Sequence, residues 1–174
     1  MLRLRPFTPT DFDELCRWFP TEADLVQWGG VLVRFPLDHA QLAAMLALGE
    51  STPPARQCWM VEQAGAVIGH IQLAYDWHHG NATVSRVAIA PHARGRGLAA
   101  PMLRLILAEA FSHPEIMRAE LNVFTFNAPA IRTYGAVGFR TEGIRRSSVR
   151  AGDTRWDTMA MGLLRAEWAA NLID

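Results

Sequence analysis

The chain is poor in cysteine, in net charge and in long apolar runs, and each shortage removes a class of function. Only Cys16 and Cys58 occur in 174 residues, without a CxxC pair. Two buried thiols in a reducing compartment are therefore preferred to a disulfide framework. Lys plus Arg and Asp plus Glu number 17 each, so the bulk charge points to neither nucleic acid nor an acidic membrane surface. No segment approaches the roughly 20 apolar residues of a membrane span. The opening MLRLRPFTPTDFDEL lacks the apolar core of a signal peptide. A cytoplasmic location is expected, with no nucleic-acid or membrane partner. The 6 histidines are scattered, with no pair four apart, so no metal is expected either. No repeat, linker or low-complexity segment is evident.

What is present is ordinary for a folded domain: 50% hydrophobic and 20% charged residues. The length suits one domain over residues 1–174. MLRLRPF alternates as a half-exposed strand does, and TPTDFDELCRWF follows as a short helix with Thr10 as its cap. PTEADLVQWGGVLVRFPLD is less regular and leads into the helix HAQLAAMLALGE. QCWMVEQ, AVIGHIQLAYDW and ATVSRVAIA read as an antiparallel meander. Then come a helix over residues 97–111, the strand RAELNVFTF, the helix APAIRTYGAVG capped by Asn127 and ended by Gly138, and a closing hairpin. The order is β-α-α-β-β-β-α-β-α-β-β. It predicts an α/β domain with a mixed, mostly antiparallel central sheet of about seven strands, flanked by about four helices.

The stretch HARGRGLAAPML, residues 92–103, concentrates charge that the whole chain lacks. Gly95 and Gly97 permit a backbone that turns successive N–H groups into one concavity. The following helix start adds unpaired donors and the positive end of its dipole. Arg94 and Arg96 supply guanidinium forks, so the loop suits a pyrophosphate. A solvated Gly/Arg loop is the competing reading of the same residues. GRGLAA also fits the dinucleotide pattern G-x-G-x-x-A, but its strand lies in an antiparallel meander and PHAR intervenes before the glycines. Pro101 falls near the helix start, which predicts a late start or a slight bend.

VAIAPHARGRGLAAPML resembles the core motif of the GNAT superfamily of acyl-CoA-dependent N-acetyltransferases, [RQ]-x-x-G-x-[GA], with Arg94, Gly97 and Ala99 at its fixed positions. NVFTFNAPAIRTYGAVGF resembles the second signature of that superfamily, with Asn127, Ala130, Tyr134, Gly138 and Phe139 in place. The ending GDTRWDTMAMGLLRAEW is similar to the final hairpin of the RimJ/RimL-like branch. The resemblance implies acetyl-CoA as co-substrate, lying where the fourth and fifth strands splay apart. Backbone groups of Val87 and Ile89 would pair with the pantetheine arm. Arg94, Gly95, Arg96, Gly97, Leu98 and Ala99 would cradle the pyrophosphate. Asn127 would meet the pantetheine, and Tyr134 would face the sulfur. The Ile89 N–H and Tyr134 are then the catalytic candidates, one for the developing oxyanion and one for the leaving thiol.

A general base is not evident, because NATVSRVAIA carries no carboxylate where many relatives have one. Asp76, His78, His70 and Glu120 are the candidates elsewhere. An alkyl amine with pKa near 10.4 costs about 4.6 kcal/mol to deprotonate at pH 7, and an α-amine near 7.7 about 1 kcal/mol. A primary amine of low pKa, such as a peptide N-terminus, is thus the favoured acceptor. VQWGG, with Trp28, resembles a stretch of aminoglycoside N-acetyltransferases and points to the acceptor side. Polycationic acceptors, aminoglycoside or polyamine, would need carboxylates such as Glu22, Asp24, Asp76 and Asp157 to converge. A non-catalytic acyl-CoA-binding domain is the other alternative, and the assembly is expected to be a monomer or homodimer.

Overall fold

Leucine alternates with arginine in the first strand because one face meets the core and the other meets water. In the computed structural model, which describes residues 1–170, this is β1 (Leu2–Pro6). Its Arg5 reaches across to both Asp11 and Glu62 at 2.6 Å, neutralising two buried acids. The remaining strands are β2 (Arg56–Gln63), β3 (Ala66–Asp76), β4 (Asn81–Ile89), β5 (Arg118–Phe124), β6 (Arg140–Ala151) and β7 (Thr154–Leu164). They form a single seven-stranded sheet in the order β1-β2-β3-β4-β5-β7-β6. Every pairing is antiparallel except β4 with β5, as a mixed sheet in a layered domain requires.

Among the described residues, six α-helices accompany the sheet: α1 (Phe12–Cys16), α2 (Glu22–Gly29), α3 (His39–Ala47), α4 (Ala99–Ser112), α5 (Ala128–Ala136) and α6 (Arg165–Ala170). On α4, Met102, Leu103, Ile106, Leu107 and Ala110 recur at helical spacing, and all are fully buried. They form the stripe that meets β1, β3 and β4. Side chains of this kind stabilise by roughly 1.5–3 kcal/mol each on burial. This stripe fixes the direction of α4, and with it the place of the loop that precedes it.

Several local readings change. Thr10 does not cap the first helix; Thr8 and Asp11 close a 3₁₀ turn over Pro9–Asp11, and α1 starts only at Phe12. The irregular stretch after it contains α2, whose Thr21 hydroxyl accepts the N–H of Asp24 at 3.2 Å. Its apolar stripe is too short to stand out, since only Leu25 and Trp28 are buried. Helix α6 is equally short, with Glu167 capping it through the N–H of Leu164 at 3.0 Å. Asn127 does cap α5, accepting from the N–H of Ala130 at 3.3 Å. Helix α4 starts late, at Ala99, so Pro101 sits in the first turn, where no intrahelical acceptor waits for its missing N–H. Both cysteines are free, Cys58 buried and Cys16 half-buried.

Candidate active site

The sheet opens in its middle. β4 and β5 pair only between residues 81–83 and 118–120, and the ladder stops beyond Thr83. The cause lies in β4 itself. Ser85 is opposite Gln72 and Ala88 is opposite His70, so Arg86 and Val87 together face the single residue Ile71. Such a bulge bends a strand and increases its twist. Arg86 takes φ +50°, a left-handed conformation that costs a non-glycine residue roughly 1–2 kcal/mol. Two hydrogen bonds hold it there: the Arg86 carbonyl accepts from Trp28 Nε1 at 2.8 Å and from His70 Nδ1 at 3.1 Å.

Past the bulge the pairing with β3 resumes, and its phase decides what Ile89 can do. The Ala90 N–H donates to the Ile68 carbonyl at 2.9 Å, which makes 90 and 68 a hydrogen-bonded pair. Their neighbours Ile89 and Gly69 are therefore the non-bonded pair, in which N–H and C=O point away from the partner strand. The Ile89 amide is directed into the opening towards β5. Its carbonyl is met there by Arg94 Nε at 3.3 Å.

The opening is a cavity of about 580 Å³. One wall is residues 83–87 and Ile89 of β4, and the opposite wall is residues 122–124 of β5 with Asn127, Ala130, Thr133 and Tyr134 of the α5 region. Gln27, Trp28, Gly29, Gly30 and Leu32 close one end, while Arg94 and Ala99 stand at either side of the glycine-rich loop that leads into α4. A smaller hollow of about 190 Å³ adjoins it, lined by Asp24, Trp28, Ala88 and Arg94 among others. Gly95 and Gly97 have φ +75° and +70°, so this loop turns through backbone conformations that side chains rarely adopt. A Cβ at either glycine would meet open space. Their requirement is conformational, not one of packing.

The family model that describes the acetyltransferase (GNAT) domain matches residues 1–140. The chain belongs to the GNAT acetyltransferase family. The uncharacterized N-acetyltransferase YokL of Bacillus subtilis, derived from the SPbeta prophage, is 28% identical over 112 residues, 64% of this chain and 63% of that protein. The L-amino acid N-acetyltransferase AaaT of Escherichia coli is 30% identical over 92 residues, 51% of this chain and 57% of that protein. The chain thus matches somewhat less than two thirds of the length of each. In fold it is similar to the spermidine N-acetyltransferase of Vibrio cholerae, solved with CoA and spermine, at a TM-score of 0.85 and 20% identity over 97% of this chain and 98% of that one.

Within this GNAT domain the residues singled out in the sequence separate into two groups. Val87, Ile89, Arg94, Ala99, Asn127, Tyr134 and Trp28 line one cavity. Gly95, Arg96, Gly97 and Leu98 lie outside that lining, in the loop between Arg94 and α4, and Arg96 is drawn to Gln63 at 3.1 Å. Asp76 and His78 do not reach the site. They sit at the β3–β4 turn, the opposite end of β4 from the loop, where Asp76 is paired with His79 at 2.8 Å. Glu120 is held by Arg118 at 2.9 Å and is likewise outside the lining. His70 is fully buried, and burial pushes its pKa down to about 4. With Nδ1 donating to Arg86, the ring is a fixed neutral support rather than a base.

Tyr134 lines the cavity, and burial pushes its pKa up to about 12. It is therefore protonated at any physiological pH. Two residues that sequence reasoning missed, Arg56 and Arg86, complete the lining's polar character. Arg56 and Arg86 both enter the cavity, and each donates from Nη1 to the same oxygen, Gln72 Oε1, at 2.9 and 3.0 Å. No periodicity marks them, because strand register alone brings β2, β3 and β4 together here.

Proposed function

We propose that the protein is an acetyl-CoA-dependent N-acetyltransferase that moves the acetyl group to a primary amine by direct attack in a ternary complex. The observation that carries this is the Ile89 N–H, turned out of the sheet into a cavity that also holds the Tyr134 phenol. An extended pantetheine arm fits the gap as an added strand would, paired with backbone groups of β4. The N–H groups of residues 95–99, with Arg94, suit the diphosphate. No metal is needed for this chemistry, and the closing stretch GDTRWDTMAMGLLRAEW, which spans β7 and the start of α6, supports placement in the RimJ/RimL-like branch.

The reaction forms a C–N bond and breaks a C–S bond. Charge that develops on the carbonyl oxygen is met by the preorganised Ile89 N–H. Transfer of a proton from Tyr134 to the leaving thiolate would run from a pKa of about 12 to one near 8.5, uphill by roughly 5 kcal/mol. Tyr134 therefore donates a hydrogen bond to the sulfur and keeps its proton. The amine gives up its own proton to water, since among the described residues no carboxylate lines the cavity. A polyamine or aminoglycoside acceptor has the fold-level likeness to the Vibrio cholerae enzyme in its favour. Glu22, Asp24, Asp76 and Asp157 do not converge to receive one: only Asp24 borders the smaller hollow, and Asp157 is engaged with the Ser147 N–H at 2.6 Å.

The test couples acetyl-CoA calorimetry to CoA release with short peptides, amino acids, polyamines and aminoglycosides as acceptors. Acetylation by the wild type, with Tyr134→Phe retaining affinity for acetyl-CoA but losing turnover about a hundredfold, is the expected result. Binding of acetyl-CoA without acetylation of any amine would instead identify a non-catalytic acyl-CoA-binding domain.

A further inference from the structure

The acceptor end of the cavity is positive, and its positive groups have no counter-charge among the described residues. Arg56 and Arg86 are half-buried, and neither has an ion-pair partner among the described residues. Both guanidinium groups spend one N–H on a single amide oxygen, that of Gln72. Arg56 adds only the Ser85 hydroxyl at 3.2 Å, and Arg86 lies 5.9 Å from the centre of the Trp28 ring. The Nε of each is buried without any hydrogen-bond acceptor.

The arrangement is also fixed. Gln72 is fully buried, and its amide nitrogen is 3.5 Å from Nε2 of His70. Because His70 donates from Nδ1 to the Arg86 carbonyl, its Nε2 is the acceptor, so the Gln72 amide turns its nitrogen to His70 and its oxygen to the arginines. One neutral oxygen between two cations offsets little of their repulsion. Burial, and secondarily the neighbouring charge of Arg56, pushes the Arg86 pKa down to about 10. Burial pushes Arg56 down as well. Two half-buried, convergent and under-satisfied guanidiniums form a fork for an anion.

We propose that the amine acceptor carries its own carboxylate, and that Arg56 and Arg86 bind this carboxylate beside Trp28 while the amine points towards Ile89. The inference rests on the transferase reading above and names the substrate class of that site. It accounts for the missing base as well. A positive cavity disfavours an ammonium and favours the neutral amine that attacks, so the two arginines lower the acceptor's pKa while they hold its other end. The same field repels a polycation, which is the acceptor that the fold neighbours take. Amino acids and short peptides have both required groups, whereas polyamines lack the carboxylate.

Matched acceptors test this without any variant. The turnover of acetyl-CoA is measured with free amino acids and dipeptides, with the corresponding carboxamides, and with spermidine. The expected kcat/KM for the free carboxylates exceeds that of the carboxamides by about tenfold or more, with spermidine lowest. Arg86→Gln and, independently, Arg56→Gln are expected to shrink that ratio to within about threefold while acetyl-CoA affinity by calorimetry is kept. If one variant does not fold, the other and the wild-type comparison still decide. Carboxamides or spermidine used as well as the carboxylates would overturn the proposal and leave the transferase reading standing. Turnover of no carboxylate acceptor at all would also overturn it, and absence of acetyl-CoA binding in the same calorimetry would take the transferase reading with it.

Discussion

Trp28 donates its indole N–H to the carbonyl of Arg86 at 2.8 Å, so helix α2 is tied to the bulge in β4. The same ring stacks on Phe19 at 4.5 Å and meets His70 edge-on at 5.5 Å. The bond stabilises a backbone conformation that Arg86 would otherwise leave. Trp28→Phe keeps most of the ring and removes the donor, which is expected to cost about 1 kcal/mol in urea unfolding. Because the bulge aims both Arg86 and Ile89, the variant should also lose acceptor kcat/KM by about tenfold, more than acetyl-CoA affinity; steady-state kinetics beside calorimetry separates the two.

His70 makes stability pH-dependent in a defined window. Its folded pKa, about 4, lies below the ordinary 6.5, so between these values the unfolded chain binds more protons than the folded one. Stability then rises with pH through this range and falls on acidification. The full difference is about 3 kcal/mol, developed between roughly pH 6.5 and 4. Urea midpoints across that range should show the loss, and His70→Gln should flatten the part of the slope above pH 5, where few carboxylates titrate.

Gly97 is required for its backbone and not for space. Gly97→Ala introduces a Cβ that meets nothing but must occupy φ +70°. The expected outcome is a loop that relaxes away from this conformation, weakening acetyl-CoA binding about tenfold in calorimetry while the thermal midpoint falls by only a few degrees. Gly97→Val should weaken binding further, since a β-branched side chain tolerates positive φ least.

The pH profile of turnover follows the acceptor amine. With Tyr134 raised to about 12, its ionisation is absent below roughly pH 10. The rate should rise with pH as the amine loses its proton and should show no descending limb up to that point. Tyr134→Phe is expected to lower the plateau without moving the rising limb, measured as kcat/KM against pH.

Contiguous features were legible in the sequence. The glycine-rich loop of residues 94–98, the Asn127 cap and the helix that carries Tyr134 each occupy one short stretch, and local chemistry dictates them. The strand count followed from turn residues and alternation, whereas α2 and α6 were hidden because six to eight residues give too little periodicity. The bulge at Arg86 was not legible: TVSRVAIA contains no glycine, and its left-handed residue is sustained by Trp28 and His70 from distant segments. The Arg56–Gln72–Arg86 group was invisible for the same reason, being assembled from three strands. Asp76 and His78 in the β3–β4 turn and Glu120 on β5 were attractive only as ionisable residues; the structure pairs Asp76 with His79 and Glu120 with Arg118, away from the cavity lining.

We propose the gap beside β4 as the seat of the thioester. A crystal structure of the protein grown with CoA tests this most directly. It should show the pantetheine alongside residues 87–89, the diphosphate on the amides of residues 95–99, and the sulfur within hydrogen-bonding reach of the Tyr134 hydroxyl. CoA bound elsewhere on the molecule, or a sulfur remote from Tyr134, would contradict it.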